Sequence, residues 1–205
     1  MKEKAVFVHI PKTGGASIRE ALKFSDVRII LHNLRDPHNV SLAQYIDSNP
    51  LAYSFAIVRN PWDRLLSAYF FLKKGGLKPE DKHDAERFVL KYRNFNEFVC
   101  SAFKEREILQ QIHFRPQYLW ISKNEEVIVD SIGRFENFQQ SVSQFMKQVG
   151  LQKCHVNHLN KGTHKHYMEY YSKESIEIVR SVYSKDIDLF GYEIEPAPRP
   201  DNDSC

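Results

Sequence analysis

Residues 5–17, AVFVHIPKTGGAS, decide the fold of this 205-residue chain. The apolar and β-branched letters AVFVHI predict a buried strand from Lys4 to Ile10. The letters PKTGG end it, because proline donates no backbone hydrogen bond and glycine favours turns. Ile18, Ala21 and Leu22 then give the following segment the apolar face of a helix. This order of strand, glycine turn and helix is typical of an α/β protein.

The same loop has the features of an anion site. Two glycines let the backbone turn tightly and direct several N–H groups to one point, which is also the positive end of the helix. Lys12 adds a full charge, and Thr13 and Ser17 add hydroxyl donors. The loop therefore predicts a phosphate or sulfate pocket, although GxxxxGK[ST], the usual nucleotide pattern, is absent. The alternative is an ordinary turn with a helix cap.

Further strands and helices alternate along the chain. Buried strands are predicted at 27–31, 53–58 and within 127–136. Helices are predicted at 41–48, from Pro61 after the cap residue Asn60, from 95, at 136–150 and at 172–190. Continuous apolar strands alternating with helices indicate a parallel sheet covered on both faces. Ligands of such sheets bind at the carboxyl ends of the strands, where PKTGG and RNPWDR both lie.

Length and composition fit one globular domain, predicted at 1–195. The hydrophobic fraction is 42% and the aromatic fraction 13%. The polar segment 73–94 is interpreted as an exposed insertion over the site, and the proline-rich tail 196–205 as disordered. With 29 basic and 26 acidic residues the net charge is only +3. This balance argues against a nucleic-acid partner.

The number of cysteines and the lengths of the apolar runs indicate the cellular compartment of the protein. Cys100, Cys154 and Cys205 are odd in number and far apart, which favours free thiols in a reducing compartment. No metal-ligand spacing is present, so no metal is predicted. The N-terminus lacks the pattern of a signal peptide, and no apolar run reaches the roughly 20 residues of a membrane span. These features predict a cytoplasmic protein with no membrane span.

A second motif, FAIVRNPWDRLLSAYF at 55–70, adds another anion-binding strand end. Arg59 ends a predicted strand, where its guanidinium fork can grip a phosphate. Ser67 follows about two helical turns later and can face the same group. The alternative is that Arg59 and Arg64 form surface ion pairs with neighbours such as Asp63. Two anion-binding strand ends in one small sheet favour a ligand that carries two separated phosphates.

The two motifs together resemble those of sulfotransferases that use 3′-phosphoadenylyl sulfate (PAPS), in the carbohydrate-type branch that includes heparan sulfate 2-O- and chondroitin-type enzymes. HIPKTGGAS resembles the 5′-phosphosulfate loop, and VRNPWDRLLSAY resembles the 3′-phosphate motif. HFRPQ, IGRFENF and YSKDIDLFGYE are weaker similarities, so the resemblance touches most of 4–193. It implies a P-loop-like three-layer sandwich in which helices flank a central, mostly parallel sheet.

The resemblance also implies roles for individual residues. The loop residues that would hold the 5′-phosphosulfate are Lys12, Thr13, Gly14, Gly15, Ala16 and Ser17. Arg59 and Ser67 would hold the 3′-phosphate. A late basic loop would close over the cofactor through Lys161, Gly162 and Thr163, whereas Arg134 is a candidate for either a nucleotide contact or a structural ion pair.

Sulfuryl transfer also needs charge stabilisation and a base. Lys12 is placed to neutralise the departing phosphate oxygen, and a histidine suits the removal of a proton from the acceptor hydroxyl. In the resembling family a catalytic histidine falls between the second strand and the next helix. Both His32 and His38 lie in this interval, and HNVSLAQ resembles the family's histidine followed by a small helix. The resemblance therefore points to His38 first and to His32 second, with Asp36 as an orienting candidate.

The other histidines have different interpretations. His9, at the end of a buried strand, is interpreted as packed. His113, in HFRPQ, is a further candidate for substrate or cofactor contact. The late histidines are interpreted as a solvated loop; they are His155, His158, His164 and His166.

Two rival functions remain open at this point. A P-loop nucleotide kinase would need lysine before Ser/Thr and a carboxylate for magnesium, an arrangement not found here. A non-catalytic module that binds adenosine bisphosphate or a sulfated glycan would use the basic residues of 73–93 and 161–165. The resemblance implies an acceptor hydroxyl on a saccharide, but the sequence does not identify it, and the oligomeric state is not readable.

Overall fold

The computed structural model describes residues 5–23, 25–31, 40–151 and 165–194. The strands are β1 (Ala5–His9), β2 (Val27–Leu31), β3 (Tyr53–Val58), β4 (Ser122–Lys123), β5 (Glu126–Val127) and β6 (Ser131–Arg134). The α-helices are α1 (Gly15–Ala21), α2 (Val40–Ser48), α3 (Pro61–Lys73), α4 (Pro79–Phe88), α5 (Phe95–Ala102), α6 (Phe138–Gln148), α7 (Lys173–Val182) and α8 (Ser184–Phe190). Within these ranges no helix is both long and apolar enough to cross a membrane.

A parallel sheet forms the centre, with strands in the order β2-β1-β3-β6. β1 is paired on both sides, to β2 and to β3, and β3 is paired in turn to β6. The strand and helix order at the start of the chain therefore brings the ends of β1 and β3 side by side. The short strands β4 and β5 form a separate antiparallel pair.

Helices cover both faces of this sheet. On one face, apolar side chains of β1 and β3 pack against α1 and α6; these are Ala5, Phe7, Phe55, Ile57, Ile18, Leu22, Phe138, Val142 and Phe145. On the other face, alternate residues of the same strands pack against α2, α8 and the 118–121 segment; these are Val8, Ala56, Val58, Leu42, Phe190, Trp120 and Ile121. Because successive side chains of a strand point to opposite faces of the sheet, each strand contributes to two apolar cores. The predicted three-layer α/β fold is confirmed.

A third apolar cluster lies where α3, α4, α5 and α7 meet, and it includes Ile108 and Phe114 from the segment after α5. The segment 73–94, predicted as an exposed insertion, contributes α4 to this cluster. Ala85 and Val89, four residues apart on one helical face, are 0% and 1% exposed. The many charges around this pair hid the short apolar stripe that anchors the segment, whereas most of its other residues are exposed or half-buried.

Two other elements differ from their predictions because of distant contacts. The strand expected within 127–136 is confined to β6, since the Asp130 carboxylate accepts hydrogen bonds from the Ser54 amide and hydroxyl just before it. The helix expected over 172–190 is divided at Tyr183, a buried residue that follows α7 and precedes α8. The Tyr183 hydroxyl donates to the Phe114 carbonyl at 2.6 Å.

Candidate active site

The glycine loop lies between β1 and α1 at the carboxyl edge of the sheet. Gly14 has φ +83°, and a Cβ there would lie 2.5 Å from a ring carbon of Phe138. A Cβ on Gly15 would overlap the ring of His9. Side chains are therefore excluded at both positions, which lets the loop backbone pack closely against His9 and Phe138. In the first turn of α1 the Ser17 N–H donates to the Gly14 carbonyl at 3.0 Å, and the amides of Gly15 and Ala16, which precede the first intrahelical bond, are suited to an anion.

Lys12 lies in this loop with φ +70°, a conformation that costs a non-glycine residue energy and is found at functional sites. Its ammonium Nζ is 3.9 Å from the centroid of the Phe71 ring. Burial lowers the pKa of Lys12 to about 8, and the positive charge of Arg59 acts in the same direction. Asp81 of α4 opposes this shift. An anion beside Lys12 would stabilise its charged form.

The Thr13 hydroxyl makes a contact within the loop itself. Thr13 is completely buried, and its Oγ1 donates to the Ile10 carbonyl at 2.9 Å. This bond holds the turn closed, and a part for Thr13 in ligand binding stays a prediction. Ser17 is 5% exposed and Ala16 is exposed at the start of α1.

Arg59 joins the second motif to the glycine loop. Its Nη1 donates to the Lys12 carbonyl at 3.2 Å, and its Nε and Nη2 contact Asp63 at 2.8 and 2.7 Å. The guanidinium also lies over the Phe135 ring, 4.2 Å from the centroid. The two strand ends predicted to bind anions are therefore in direct contact, with two cationic side chains on adjacent positions of one edge.

Ser67 lies on the same face of α3 as Asp63, the residue that Arg59 contacts. Asp63, Ser67 and Phe71 are spaced by four residues and occupy one helical face. Arg59, bound to Asp63, contacts the Lys12 carbonyl, and Phe71 contacts the Lys12 ammonium. The half-buried Ser67 thus lies on α3 between Asp63, which contacts Arg59, and Phe71, which contacts the Lys12 ammonium.

Arg64 has a structural role that the sequence did not reveal. It is 1% exposed, and its Nε donates to the Pro11 carbonyl at 3.0 Å. Its Nη2 donates to the Arg115 carbonyl at 2.9 Å. The alternative of a surface ion pair is therefore wrong for Arg64. Its guanidinium fixes the backbone immediately before Lys12.

Three segments that showed only weak similarity to the family converge on the turn after β3. Gln117, in HFRPQ, accepts from the Arg59 amide and donates to the Arg59 carbonyl. Asp186 of α8 accepts from the amides of Gln117 and Tyr118. Glu136 accepts from the Asn60 amide at 2.6 Å. Through these polar contacts the HFRPQ, IGRFENF and YSKDIDLFGYE segments together hold the backbone of Arg59 and Asn60 after β3.

A model of the sulfotransferase family matches residues 1–193. The chain belongs to the sulfotransferase family. The match confirms the family and the enzyme class that the sequence predicts. Carbohydrate sulfotransferase 10 from Xenopus laevis is 23% identical over 232 residues, which cover 93% of this sulfotransferase and 65% of the relative. The human protein of that name is also 23% identical, over 94% of the chain and 65% of the relative.

Two further similarities accompany these relatives. An uncharacterized protein from Archaeoglobus fulgidus is 34% identical over 97 residues, or 47% of this sulfotransferase and 67% of that protein. The crystal structure of a sulfotransferase from Alicyclobacillus acidocaldarius has a TM-score of 0.39 and 16% identity, over 82% of the chain and 66% of that structure. The chain thus spans 65% of the length of its carbohydrate sulfotransferase relatives.

Some predicted residues of this sulfotransferase fall outside the described ranges. These are His32, His38 and Asp36 after β2, and Lys161, Gly162 and Thr163 in the late loop, and their roles stay predictions. Arg134 is described, and its Nη2 donates to the carbonyls of Phe190 and Gly191. It caps the end of α8, which favours the structural alternative. His9 packs beneath the loop against Gly15, in agreement with its predicted role.

Proposed function

We propose that this protein transfers the sulfuryl group of PAPS to a hydroxyl of a saccharide. The observation that carries the proposal is the contact between Arg59 and the Lys12 carbonyl. It brings the ends of β1 and β3, both predicted to bind anions, side by side, as a donor with phosphate groups at its 3′ and 5′ positions would require. A single phosphate site would need only one of them.

The residues of the site fit such a donor. The backbone amides at the start of α1 and the Lys12 ammonium would hold the 5′-phosphosulfate. Arg59 and Ser67 would hold the 3′-phosphate. Lys161, Gly162 and Thr163 are proposed to close over the nucleotide. PAPS would supply the sulfuryl group.

Lys12 and a histidine would have different roles in the transfer reaction. The Lys12 ammonium would lie near the phosphate end of the donor, where it would neutralise negative charge on the departing oxygen. The loop amides would do the same without moving. His38, or else His32, would remove the proton of the acceptor hydroxyl. The scheme assigns charge stabilisation to protein groups and needs no metal ion.

The saccharide acceptor rests on the relatives, two of which are carbohydrate sulfotransferases by name. The decisive experiment incubates the protein with PAPS carrying radiolabelled sulfate and a panel of acceptors. The panel contains neutral and acidic oligosaccharides, a tyrosine peptide and simple phenols. We expect label on a saccharide, and label on the peptide or phenols alone would contradict the acceptor class.

Binding measurements separate the rival functions. Calorimetry would compare 3′-phosphoadenosine 5′-phosphate (PAP) with ATP and magnesium. We expect preference for PAP, and preference for ATP would overturn the proposal in favour of a kinase. Tight PAP binding without transfer to any acceptor would instead indicate a binding module.

Arg59→Gln should remove most of the affinity that the 3′-phosphate contributes. Charge-assisted hydrogen bonds are worth about 1.5–3 kcal/mol, which corresponds to roughly 10- to 100-fold in affinity. We therefore expect the ratio of PAP to AMP affinity to fall by about that factor. Calorimetry with both nucleotides measures the ratio.

The comparison with AMP controls for damage to the loop, because Arg59 also supports the Lys12 carbonyl. Asp63 would lose its partner in this variant, so Arg59→Gln with Asp63→Asn is the matched double variant. Ser67→Ala should lower the same ratio to a smaller extent. An unchanged PAP to AMP ratio in the double variant would contradict a 3′-phosphate site at Arg59.

A further inference from the structure

The last turn of α3 places an aromatic ring against Lys12. The Lys12 Nζ lies over the Phe71 ring, 3.9 Å from its centroid. This distance is well within the range of about 6 Å over which the face of an aromatic ring attracts a cation. The mechanism proposed above uses Lys12 and assigns no role to Phe71.

The Phe71 ring is held in place by the surrounding fold. It packs against the third apolar cluster, and its centroid is 4.9 Å from that of the His113 ring. The Phe71 carbonyl accepts from the Gly76 N–H at 3.0 Å, in the turn that ends α3. Because both the side chain and the backbone of Phe71 are in contact with other segments, its ring can restrict the position of the Lys12 ammonium.

The two cations of the site are held in different ways. The Asp63 carboxylate contacts Arg59 at 2.7 Å and balances its charge. Asp81 attracts Lys12 electrostatically, but its Oδ2 accepts from two backbone amides at the start of α4, at 2.9 and 3.1 Å. Among the residues that the structure describes, no carboxylate forms an ion pair with Lys12. Lys12 therefore has an aromatic face where Arg59 has a carboxylate.

We propose that Phe71 is a positioning residue, whose ring holds the Lys12 ammonium in place of a carboxylate and leaves its charge available to the departing oxygen of the donor. A carboxylate in this position would also hold the ammonium, but it would neutralise it and repel an anionic donor. An aromatic ring attracts a cation through its quadrupole and carries no net charge. The inference rests on the proposed sulfuryl transfer and adds to it the residue that positions its lysine.

The contact predicts opposite changes in the pKa of Lys12, which is about 8, when the ring is replaced. Asp81 favours the ammonium form while Arg59 and Arg64 oppose it, and all three remain in every Phe71 variant. The ring also favours the ammonium form, so Phe71→Leu should lower the titration midpoint by about 0.4–1.5 pH units. Phe71→Glu should raise the midpoint, because an adjacent carboxylate stabilises the charged form.

NMR titration measures these shifts without turnover. In protein labelled with ¹³C-lysine the Cε signal follows the charge of each lysine, and Lys12→Arg identifies the Lys12 signal by its loss. Phe71→Trp keeps an aromatic face and should keep a midpoint near that of the wild-type protein. Phe70→Leu is the matched control, since the Phe70 ring packs against Tyr170 at 5.3 Å between centroids and should not affect Lys12. An unchanged midpoint in Phe71→Leu, or an equal shift in Phe70→Leu, would overturn the proposal.

Kinetics test whether the ring positions a charge that the reaction uses. At about pH 6, where Lys12 stays largely charged, Phe71→Leu should lower kcat by about 2- to 10-fold, and Phe71→Trp by less. Phe71→Glu should lower kcat further than Phe71→Gln, which has the same size and no charge, although Lys12 is then more fully protonated. A kcat in Phe71→Glu equal to or above that in Phe71→Gln would overturn the proposal. Absence of transfer by the wild-type protein would contradict the proposed function, whereas the NMR titration would still test the contact.

Discussion

Lys12→Met is expected to lower kcat for sulfuryl transfer by about 10²- to 10³-fold, the loss seen when one preorganised stabilising group is removed. Methionine keeps an apolar stem against the Phe71 ring and removes only the charge. The effect is large because Lys12 is partly shielded from water, so its attraction for a developing negative charge is screened less than at an exposed site. Single-turnover assays with PAPS measure the change.

The pKa of Lys12 gives this prediction a second readout. Its value of about 8 in the free protein means that the ammonium form is lost as pH rises through 8. We expect kcat/KM, which reports the free enzyme, to fall above about pH 8. Lys12→Arg stays charged and should lose this alkaline limb. Persistence of the limb in Lys12→Arg would assign it to another group.

Binding linkage checks the same assignment without catalysis. A bound phosphate favours the charged form of Lys12 and so raises its pKa. At about pH 9, PAP binding should take up a proton, visible as a dependence of the calorimetric enthalpy on the buffer. The uptake should disappear in Lys12→Arg. Uptake of equal size in both proteins would show that Lys12 is not the group next to the phosphate.

The elements of the fold that the sequence predicted are those set by local sequence patterns. β1 and β3 are buried on both faces and therefore appear in the sequence as unbroken apolar runs. Pro61 at the first position of α3 and Asn60 at its cap mark that helix independently of its partners. Ala85 and Val89 were missed because two apolar residues among charges give too weak a periodicity. Only the packing of α4 against the helical cluster shows their burial.

The candidate site likewise has a part that the sequence predicts and a part that it does not. Lys12 and Arg59 were predictable because glycine turns and strand ends are recognisable locally. The contacts that hold Lys12 and Arg59 in place were not predictable. Gln117 reaches Arg59 across 58 residues of sequence, and Asp186 reaches Gln117 across 69. A single sequence does not reveal such pairings, and the weak similarity of their segments to the family was the only sign of them.

Arg64→Met is expected to destabilise the fold by about 3–5 kcal/mol. Two hydrogen bonds from a charged donor are lost, each worth about 1.5–3 kcal/mol, and the carbonyls of Pro11 and Arg115 are left buried. Asp186 and Arg64 also attract each other, which favours the charged arginine against the burial that lowers its pKa. Urea unfolding should show a midpoint lower by about 1–2 M.

The matched control is Arg93→Met. The side chain of Arg93 is 89% exposed and pairs with Glu97 on the surface, so its replacement should leave the urea midpoint unchanged within error. A small effect of Arg64→Met would mean that solvent reaches the Pro11 carbonyl and that the loop before Lys12 is held by other contacts. A large effect would show that Arg64 fixes the backbone from which Lys12 acts, through its contact with the Pro11 carbonyl.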